Sequence, residues 1–408
     1  KIFVDQVDPK TATTLTLGTS GDTVSIPSGV TIANSGTATG FGITQANFLP
    51  NANPLIINGN MAVAQRGTST TGITGGGFYT VDRWDFDNSA GGGAASTWTQ
   101  TQESLTSGDA FVDGFRNSIK MDVTTAAGTL AAGSNANIHQ TIEAQNLQCL
   151  KFGGASAETF TVAFWVKATK TGTYILEGHL SDDGRACSQA YTVSSSDTWE
   201  YKILNFPADT TGVIDNNNGS GMQLFWWLAA GTTFTSGTLS TTWTADTAAN
   251  RAVGQVNASD STSNNFEIAG VQMEVGTYTS SDLPPFRYES YGDNLLRCQR
   301  YFCMNQNSTQ MTGSCNGSAQ WNNASIYCPV SMRSTPTVSN FSGVNYWFDD
   351  GTAGADTSVS VADIKHVANT NNINFNINSM SGLTDNKMIS GYVNTTSDSI
   401  NVEWDAEL

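Results

Sequence analysis

Charged residues are scarce in this chain, because only 13% of its 408 residues are Asp, Glu, Lys or Arg. They are also unbalanced: 35 acids outnumber 18 Lys and Arg and give a formal net charge of -17 at pH 7. A surface that neutralises nucleic-acid phosphates needs a basic stripe, which so few scattered cations do not supply. A nucleic-acid partner is therefore not expected.

Long hydrophobic runs are missing as well. No stretch reaches the roughly 18 consecutive apolar residues that a spanning helix needs, so no membrane insertion is expected. By contrast, 10% of the residues are aromatic and 40 are glycine, and Ser, Thr and Asn are frequent. Aromatic side chains supply cores, while β-branched and turn-forming residues favour sheets over helices, so the sequence predicts an all-β fold.

Metal-binding and redox patterns are also absent. The six cysteines are Cys149, Cys187, Cys298, Cys303, Cys315 and Cys328. None forms a CxxC pair and no histidines lie near them, so we expect no metal and no cofactor. In a large chain with few cysteines, buried free thiols are favoured, and a disulfide within the last four stays open as an alternative.

The usual catalytic arrangements are missing too. The three histidines are His139, His179 and His366, and none lies near a GxSxG motif. The acids Asp182 and Asp183 are adjacent, as are Asp349 and Asp350, and adjacent strand residues point to opposite faces. They do not provide the roughly 5–9 Å carboxylate couple of glycoside hydrolysis. We therefore predict that the chain is not an enzyme, with a polysaccharide-degrading site built from distant acids as the minority alternative.

Residues 1–50 differ from the rest of the chain. Short apolar pairs such as Leu15 with Leu17 and Val24 with Ile26 alternate with glycine-containing turns. One copy of such short strands leaves most of its surface wet, whereas three copies wound together share a core. The segment is therefore predicted to be a short-strand trimeric shaft, with a flexible arm as the alternative.

Residues 51–290 show many short strands separated by Gly, Asn and Asp turns, which favours a jelly-roll β-sandwich. The candidate strands are Leu55–Ile57, Met61–Arg66, Phe78–Phe86, Trp98–Gln102, Ser118–Thr124, Ile138–Glu143, Phe160–Ala168, Tyr174–Gly178, Gln189–Val193, Trp199–Phe206, Met222–Ala229 and Phe266–Val275. Alternation places Trp165 and Trp227 opposite the core side of their strands. Packed core or interface positions are the alternative for both.

The stretch Phe266–Phe302 is predicted to be a rigid joint between two domains. Its strand has one face with Phe266, Ile268, Gly270, Gln272 and Glu274, and a more apolar face with Ala269, Val271, Met273 and Val275. Pro284 and Pro285 end the ladder, and Asp293 stands where the N-cap of a short helix belongs. The residues expected to pack the joint are Leu295, Cys298 and Phe302.

Residues 291–408 again alternate apolar and polar positions, so a small C-terminal β-sandwich is predicted, with the last strand paired. Two aromatic clusters there are candidate glycan sites, because rings stack on C–H faces while carboxylates accept hydroxyl hydrogens. The candidate residues are Trp321 in one cluster and Tyr346, Trp347 and Asp349 in the other. Capping of the sandwich core is the alternative for both clusters.

Several motifs resemble known families. The N-terminal VDQVDP and TLTLGTSGDTVSIPSG runs, the QMEVG strand and the CQRYF helix resemble tail fibre proteins of tailed phages. The segments LIINGNMAVAQRG, FYTVDRW, FTVAFWVKATKTGTY and FEIAGVQMEVG resemble jelly rolls of the carbohydrate-binding-module type. In those modules rings on a concave face stack on sugars, which implies Trp165 and Trp227 here. Ala269 and Gly270 occupy positions where acids for a structural calcium would stand.

The resemblance implies a homotrimeric virion tail fibre subunit that is assembled in the host cytoplasm, which needs no secretory signal. Residues 1–50 would attach to other virion tail proteins, and residues 291–408 would form the distal tip. The partner would be a host surface polysaccharide, bound with avidity from several copies. The alternatives are a virion-associated glycan depolymerase and a purely structural fibre or connector protein.

Overall fold

The computed structural model describes residues 54–306, 311–315, 321–339, 345–349, 354–358, 364–368, 370, 372–377, 388–393 and 401–408. Side chains are described for residues 54–304, 327–337, 370, 372 and 403–408. The described residues belong to one compact unit, residues 50–408. The predicted trimeric shaft, residues 1–50, lies outside the described residues, so it stays a prediction, as do the domain boundaries.

The regular secondary structure of the described chain is mostly β-strand with few helices, which confirms the predicted all-β class. The first thirteen strands are β1 (Ser69–Ile73), β2 (Gly77–Phe78), β3 (Asp85–Ser89), β4 (Thr97–Ser104), β5 (Asn117–Thr125), β6 (Asn135–Glu143), β7 (Phe160–Ala168), β8 (Gly172–Leu180), β9 (Arg185–Val193), β10 (Glu200–Phe206), β11 (Ser220–Ala230), β12 (Thr244–Ala245) and β13 (Asn265–Val275). The later strands are β14 (Phe302–Gln306), β15 (Met311–Cys315), β16 (Trp321–Tyr327), β17 (Thr337–Ser339), β18 (Asn345–Asp349), β19 (Gly354–Ser358), β20 (Ile364–Ala368), β21 (Asn372–Ile377), β22 (Met388–Val393) and β23 (Asn401–Asp405).

Helices are short. The α-helices are α1 (Asp109–Val112), α2 (Thr232–Thr235) and α3 (Tyr291–Gln299), and the 3-10 helices are Ala144–Leu150, Ala248–Asn250 and Ala258–Asp260. In the part of the chain that the structure describes, no helix is long and apolar enough to cross a bilayer.

Two antiparallel sheets form the central sandwich. The six-stranded sheet has the order β1-β4-β5-β13-β7-β10, and the seven-stranded sheet has the order β12-β9-β8-β11-β6-β3-β2. Between them lies one buried core, in which Phe164 of β7 meets Trp226 of β11 edge-on, with ring centroids 5.6 Å apart. Trp84 meets the same Trp226 ring at 5.4 Å. Such aromatic pairs each add about 0.5–1.5 kcal/mol beyond the apolar area that they bury.

The closing strand β13 contains a bulge that the alternation pattern does not predict. Its register against β7 shifts between Ala269 and Gln272, where Gly270 has φ 60°. An extra residue in one strand reverses the faces that follow it. Phe266 before the bulge and Val271 after it therefore both enter the core, and Ala269 faces outward. The predicted division of this strand into two continuous faces is wrong for that reason.

The opening segment is irregular, and the predicted strands at residues 55–57 and 61–66 are wrong. Asn58 (φ 58°) donates through Nδ2 to the carbonyl of Val63 at 2.9 Å and accepts the Val63 N–H at 3.0 Å. The Gly59 carbonyl accepts the N–H of Val271 at 2.9 Å, beside the bulge of β13. The backbone groups of this segment are thus paired by one asparagine and by a bulge, without strand pairing.

Two other local expectations also change. The single strand predicted at residues 78–86 is divided between β2 and β3, with Arg83 (φ 74°) in the turn between them. The N-cap of α3 is Ser290, whose Oγ accepts the Asp293 N–H at 3.2 Å, so Asp293 is not the cap. Asp293 lies in the first turn of the helix, where its carboxylate accepts the Ser290 hydroxyl at 2.7 Å.

The part of the joint that contains α3 packs onto the sandwich. Cys298 and Phe302 are 0% and 1% exposed, and Leu295 packs against the cluster that holds Cys298. The same region contains Tyr301, whose hydroxyl donates to Glu143 of β6 at 2.6 Å. These contacts fix the helix against the central sandwich.

A buried cation completes this interface. Arg83 is 1% exposed, and its guanidinium carbon lies 3.5 Å from the ring centroid of Tyr301. It donates to the carbonyl of Thr141 at 2.6 Å and to the carboxylate of Glu407 at the chain end. Arg300 adds a two-point contact with Glu143 at 2.8 and 3.0 Å. Removing one partner from such a buried pair would leave an uncompensated charge and destabilise the interface.

The C-terminal part contains two more antiparallel sheets. One has the order β14-β23-β17, and the other has the order β19-β18-β22-β15-β16-β21-β20. The last strand β23 pairs on both sides, with β14 and with β17, and its Trp404 is fully buried. This pairing agrees with the expectation that the last strand holds the C-terminus in place.

Candidate functional site

The outer face of the six-stranded sheet carries an aromatic cluster. The cluster consists of Leu105, Ala110, Phe111, Phe115, Trp165, Trp199, Ala269 and Phe286. A cleft of about 290 Å³ opens beside it, with Phe115 and Phe286 among the lining residues. A sheet face turned to water normally carries polar side chains, so this apolar surface is a candidate binding site.

The bulge in β13 creates the floor of the cleft. A Cβ atom at Gly270 would lie 2.4 Å from the Phe115 ring, and the φ of 60° also disfavours any side chain there. Phe115 therefore lies against a bare stretch of backbone and is 2% exposed. Its ring meets Phe286 edge-on at 4.9 Å and Tyr288 at 5.5 Å. The bulge in the closing strand thus positions the first aromatic residue of the site.

One rim is the turn that follows α1. Tyr288 donates its hydroxyl to the carbonyl of Asp113 at 3.0 Å and remains 54% exposed. Gly114 (φ 105°) makes this approach feasible, because a Cβ there would lie 2.7 Å from the Tyr288 hydroxyl. Asp113 is also held by its N–H, which donates to the carbonyl of Asp109 at 2.9 Å. The carboxylate is therefore attached to a backbone that is fixed from two sides.

The opposite rim comes from β7 and β10. Trp165 and Tyr201 are directly paired across these strands, and their ring centroids lie 5.0 Å apart. The indole N–H of Trp165 donates to Oδ2 of Asp113 at 3.0 Å, which connects the two rims. Tyr201 lines the cleft and is 37% exposed. Two tyrosine rings thus stand partly open to solvent on either side of the Trp165–Asp113 hydrogen bond.

Both tyrosines keep their hydroxyl hydrogen at neutral pH. Burial, with a smaller contribution from the Asp113 charge, raises the pKa of Tyr201 to about 12. Burial and Asp113 likewise raise the pKa of Tyr288. Each phenol can therefore donate as well as accept a hydrogen bond.

The third wall is the segment after β13. Ser280, Leu283, Pro284 and Pro285 line the cleft on this side. The carbonyl of Pro284 accepts the Gln272 side chain of β13 at 3.0 Å, which ties the turn to the sheet. This rigid wall adds apolar surface and one hydroxyl to the site.

A row of charges borders the cluster. Glu267 of β13 is 2% exposed, and it accepts from Lys167 Nζ at 2.9 Å and from the Ser118 hydroxyl at 3.0 Å. The Lys167 ammonium also lies 5.4 Å from the Trp199 ring centroid and 3.7 Å from Asp197. The lysine charge next to the aromatic cluster is therefore compensated by acids.

The candidate Trp227 has a different setting from Trp165. It belongs to the seven-stranded sheet and is 2% exposed, with the Phe234 ring of α2 packed at 5.2 Å. Its indole N–H donates to Glu177 at 2.8 Å, and Arg251 binds the same carboxylate at 2.7 Å. An indole covered in this way presents no free face to a sugar ring. The structure does not bring Trp227 and Trp165 together.

The remaining candidates lie in the C-terminal sheets. Trp321 begins β16, and Tyr346, Trp347 and Asp349 belong to β18. Strand β18 is regular and pairs with β19 and β22. Their side chains lie outside the described ones, so their part in a glycan site stays a prediction.

The sequence interpretation missed most of the cleft. Phe115, Tyr201, Phe286 and Tyr288 were not singled out, and neither was Asp113. A usable signal is the position of two aromatic residues, Phe286 and Tyr288, directly after a Pro-Pro turn. For metals, the part of the chain that the structure describes contains no group of three or more His, Cys, Asp or Glu suited to holding an ion.

Comparisons with known proteins give structural neighbours only. No family model matches the sequence, and no curated protein matches it. The similar structures include the enzymatically active domain of tailspike protein 4 of bacteriophage CBA120, with 13% identity, a TM-score of 0.26 and 47% of this chain covered. This chain spans only 19% of that tailspike chain.

Two further neighbours have names that refer to carbohydrates. A family 16 carbohydrate-binding module has 15% identity and a TM-score of 0.21, with 44% of this chain and 84% of the module covered. A candidate sugar-binding protein of Bacteroides thetaiotaomicron has 15% identity and a TM-score of 0.29, with 55% of this chain and 100% of that chain covered. TM-scores this low carry no argument about function.

Proposed function

We propose that this chain is an adhesive subunit of a phage tail fibre and that its central sandwich binds a glycan of the host surface. The observation that carries the binding proposal is the cleft on the six-stranded sheet. There the partly exposed rings of Tyr201 and Tyr288 line the cleft together with Asp113, and Trp165 beside the cleft packs on Tyr201 and donates to the Asp113 carboxylate. Pyranose rings have apolar C–H faces and hydroxyl edges, which match rings and fixed polar groups respectively.

The form of the cleft fits a carbohydrate better than a compact apolar ligand. It is open and shallow, and its polar atoms come from a carboxylate, two phenols and the Ser280 hydroxyl. The rings are held by neighbours, since Trp165 bonds to Asp113 and Tyr288 bonds to the backbone of the same residue. Little side-chain entropy is therefore lost on binding, so less of the contact energy is spent on ordering the site.

Weak contact is sufficient for an adhesin with several copies. A shallow site with two open rings is expected to bind with a Kd of about 1 mM, which corresponds to about -4 kcal/mol. A homotrimer presents three such clefts, and simultaneous contact raises the avidity by roughly 10²–10⁴. The trimer, the virion location and the attachment of residues 1–50 to other tail proteins belong to this proposal and rest on the sequence resemblance.

The test uses the full chain and an immobilised panel of bacterial capsular and lipopolysaccharide glycans. Tyr201→Ala and Tyr288→Ala should each weaken binding at least tenfold. Tyr291→Ala is the matched control, because Tyr291 is a tyrosine with 61% exposure that lies outside the cleft on α3. Retention of full binding by both cleft variants would overturn the proposal.

We also propose that the chain lacks catalytic activity toward the glycan. The same panel is incubated with the protein, and new reducing ends are measured over time. No increase over a heat-denatured sample is expected. A steady increase that the cleft variants abolish would replace the adhesin with a glycan depolymerase.

A further inference from the structure

The cleft has an uneven distribution of charge. Its lining residues are Asp113, Phe115, Tyr201, Ser280, Leu283, Pro284, Pro285, Phe286 and Tyr288. Among these described residues Asp113 is the only one with a charged side chain, and no lysine, arginine or histidine is included. An anionic ligand seated there would meet a carboxylate without a cation in the lining to offset it.

The nearest cations have other partners. Lys167 is paired with Glu267 at 2.9 Å, and Arg287 lies 3.4 Å from Glu274. Arg116 stacks on the Phe111 ring at 4.0 Å, and its Nη1 donates to two backbone carbonyl groups of its own loop at 3.0 and 2.9 Å. Lys167 and Arg287 are thus compensated by acids, whereas Arg116 is held only by backbone carbonyls and lies outside the lining of the cleft.

Asp113 is placed as a hydrogen-bond acceptor. Its Oδ2 accepts the Trp165 indole N–H at 3.0 Å, which fixes the plane of the carboxylate. Oδ1 accepts no hydrogen bond from any described residue, while the side chain remains exposed. A carboxylate oxygen accepts strongly and donates nothing when ionised, so it suits a hydroxyl, and it repels a second anion.

We propose that the cleft selects uncharged sugar residues and that Asp113 determines this selectivity. Oδ1 accepts a hydroxyl hydrogen of the bound sugar, and the negative charge excludes sugars that carry a carboxylate, sulfate or phosphate at this subsite. Tyr201 and Tyr288 stack on the sugar and do not distinguish its charge. This inference rests on the proposed glycan-binding function and names the class of glycan that this cleft takes.

The experiment compares matched ligands. Uronate-containing bacterial polysaccharides are immobilised in their native form and after chemical reduction of the carboxyl group to a hydroxymethyl group, beside neutral polysaccharides. Wild-type protein should bind at least one neutral or reduced glycan at least tenfold better than its native anionic counterpart. Raising NaCl from about 0.1 M to about 1 M shortens the screening length from about 10 Å to about 3 Å, so binding of the native form should recover.

Variants assign the effect to Asp113. Asp113→Asn keeps an oxygen that accepts the Trp165 N–H, so its melting temperature should equal that of wild type, and the preference for reduced glycans should fall to within about threefold. Asp113→Lys should reverse the preference. An unchanged preference in Asp113→Asn, or a wild type that binds the native anionic forms better, would refute the inference.

The outcomes also separate this inference from the function on which it rests. Binding of anionic glycans that Tyr201→Ala abolishes would keep the proposed glycan site and overturn only its selectivity. Absence of binding to every glycan in the panel, or binding that neither tyrosine variant weakens, would overturn the proposed site itself and the inference with it.

Discussion

The outer faces of the two central sheets differ in their exposure to solvent. Each face carries a tryptophan opposite the core side of its strand, Trp165 on β7 and Trp227 on β11, but the outer side of β11 is the more apolar because it also carries Phe225. Trp165 stands beside an open cleft with Tyr201, whereas Trp227 is 2% exposed. The second apolar side of β11 indicates a strand that is covered on both sides, and the connecting segments provide that cover.

The covering of the seven-stranded sheet is specific. Phe234 and Leu239 pack against the cluster of Trp227, Phe225 and Ile175, and Arg251 brings a charge that Glu177 accepts. On the six-stranded sheet the segments after α1 and after β13 cover Ala269 and Gly270 with Phe115 and Phe286 and leave Tyr201 of the edge strand partly exposed. The outer face of the six-stranded sheet keeps a binding surface because its loops form the rims of a cleft. The outer face of the seven-stranded sheet is buried because a loop crosses it.

The largest expected effect is the loss of stability when the covered tryptophan is removed. Trp227→Ala should lower the free energy of unfolding by about 3–5 kcal/mol, because it leaves a cavity and removes the indole N–H from the buried Glu177. Urea titration followed by circular dichroism measures this change. Trp165→Ala is the comparison and should cost less than half as much while weakening glycan binding. Equal losses of stability would contradict the distinction between the two faces.

Two buried groups on the covered face should produce opposite pH effects. Burial lowers the pKa of His139 to about 4, so the stability it contributes is lost as pH falls from about 6.5 to about 4. Burial raises the pKa of Glu177 to about 7, so stability is lost as pH rises from about 4.5 to about 7. Each effect is at most about 3 kcal/mol, and in the wild type they oppose each other.

Single substitutions should expose the two components. His139→Gln leaves Glu177, so unfolding midpoints in urea should fall as pH rises from 4.5 to 7. Glu177→Gln leaves His139, so the midpoints should instead rise with pH across the same range. Parallel profiles for the two variants would show that burial does not control these groups. Neither residue lies in the cleft, so glycan binding serves only as a check that the variants remain folded.

Substitution at the bulge in β13 should have a smaller effect on stability and a clear effect on glycan binding by the cleft. Gly270→Ala places a Cβ 2.4 Å from the Phe115 ring at a φ of 60°, which should cost about 1–3 kcal/mol. Displacement of Phe115 should also weaken glycan binding more than tenfold. Gly154→Ala is the matched control, since a Cβ there meets nothing within 4 Å, and it should leave both properties unchanged. Wild-type glycan binding by Gly270→Ala would show that the bulge is not needed to form the binding site.

Local alternation predicts the strands well and the faces less well. The expected strand at residues 160–168 matches β7, because a period of two over nine residues reflects one buried face. The same rule fails in β13, where one added residue at Gly270 reverses the second half of the strand. A glycine within a strand pattern can indicate a bulge. Whether a bulge forms depends on the register with the paired strand, which is distant in the sequence.

The site is harder to predict than the fold for a related reason. Trp165 is identifiable from the sequence, but Asp113 lies 52 positions away and meets it only through the packing of α1 against the sheet. The opening segment resembles a strand when only hydrophobic periodicity is considered. Its actual conformation is set by hydrogen bonds from the Asn58 side chain. Contacts between distant loops follow from the closure of the sandwich, and a local pattern does not contain that information.

The smallest structural change should give the most specific test of the open face. Tyr201→Phe removes one hydroxyl from a ring that is 37% exposed, so the free energy of unfolding should change by less than about 0.5 kcal/mol. If the ring contributes by stacking, glycan binding should fall no more than about threefold, whereas Tyr201→Ala should cost at least tenfold. The two affinities are measured on the same immobilised glycan by surface plasmon resonance. A Phe variant as weak as the Ala variant would move the contribution of Tyr201 from its ring to its hydroxyl, and the open face would then recognise its ligand by hydrogen bonding instead of stacking.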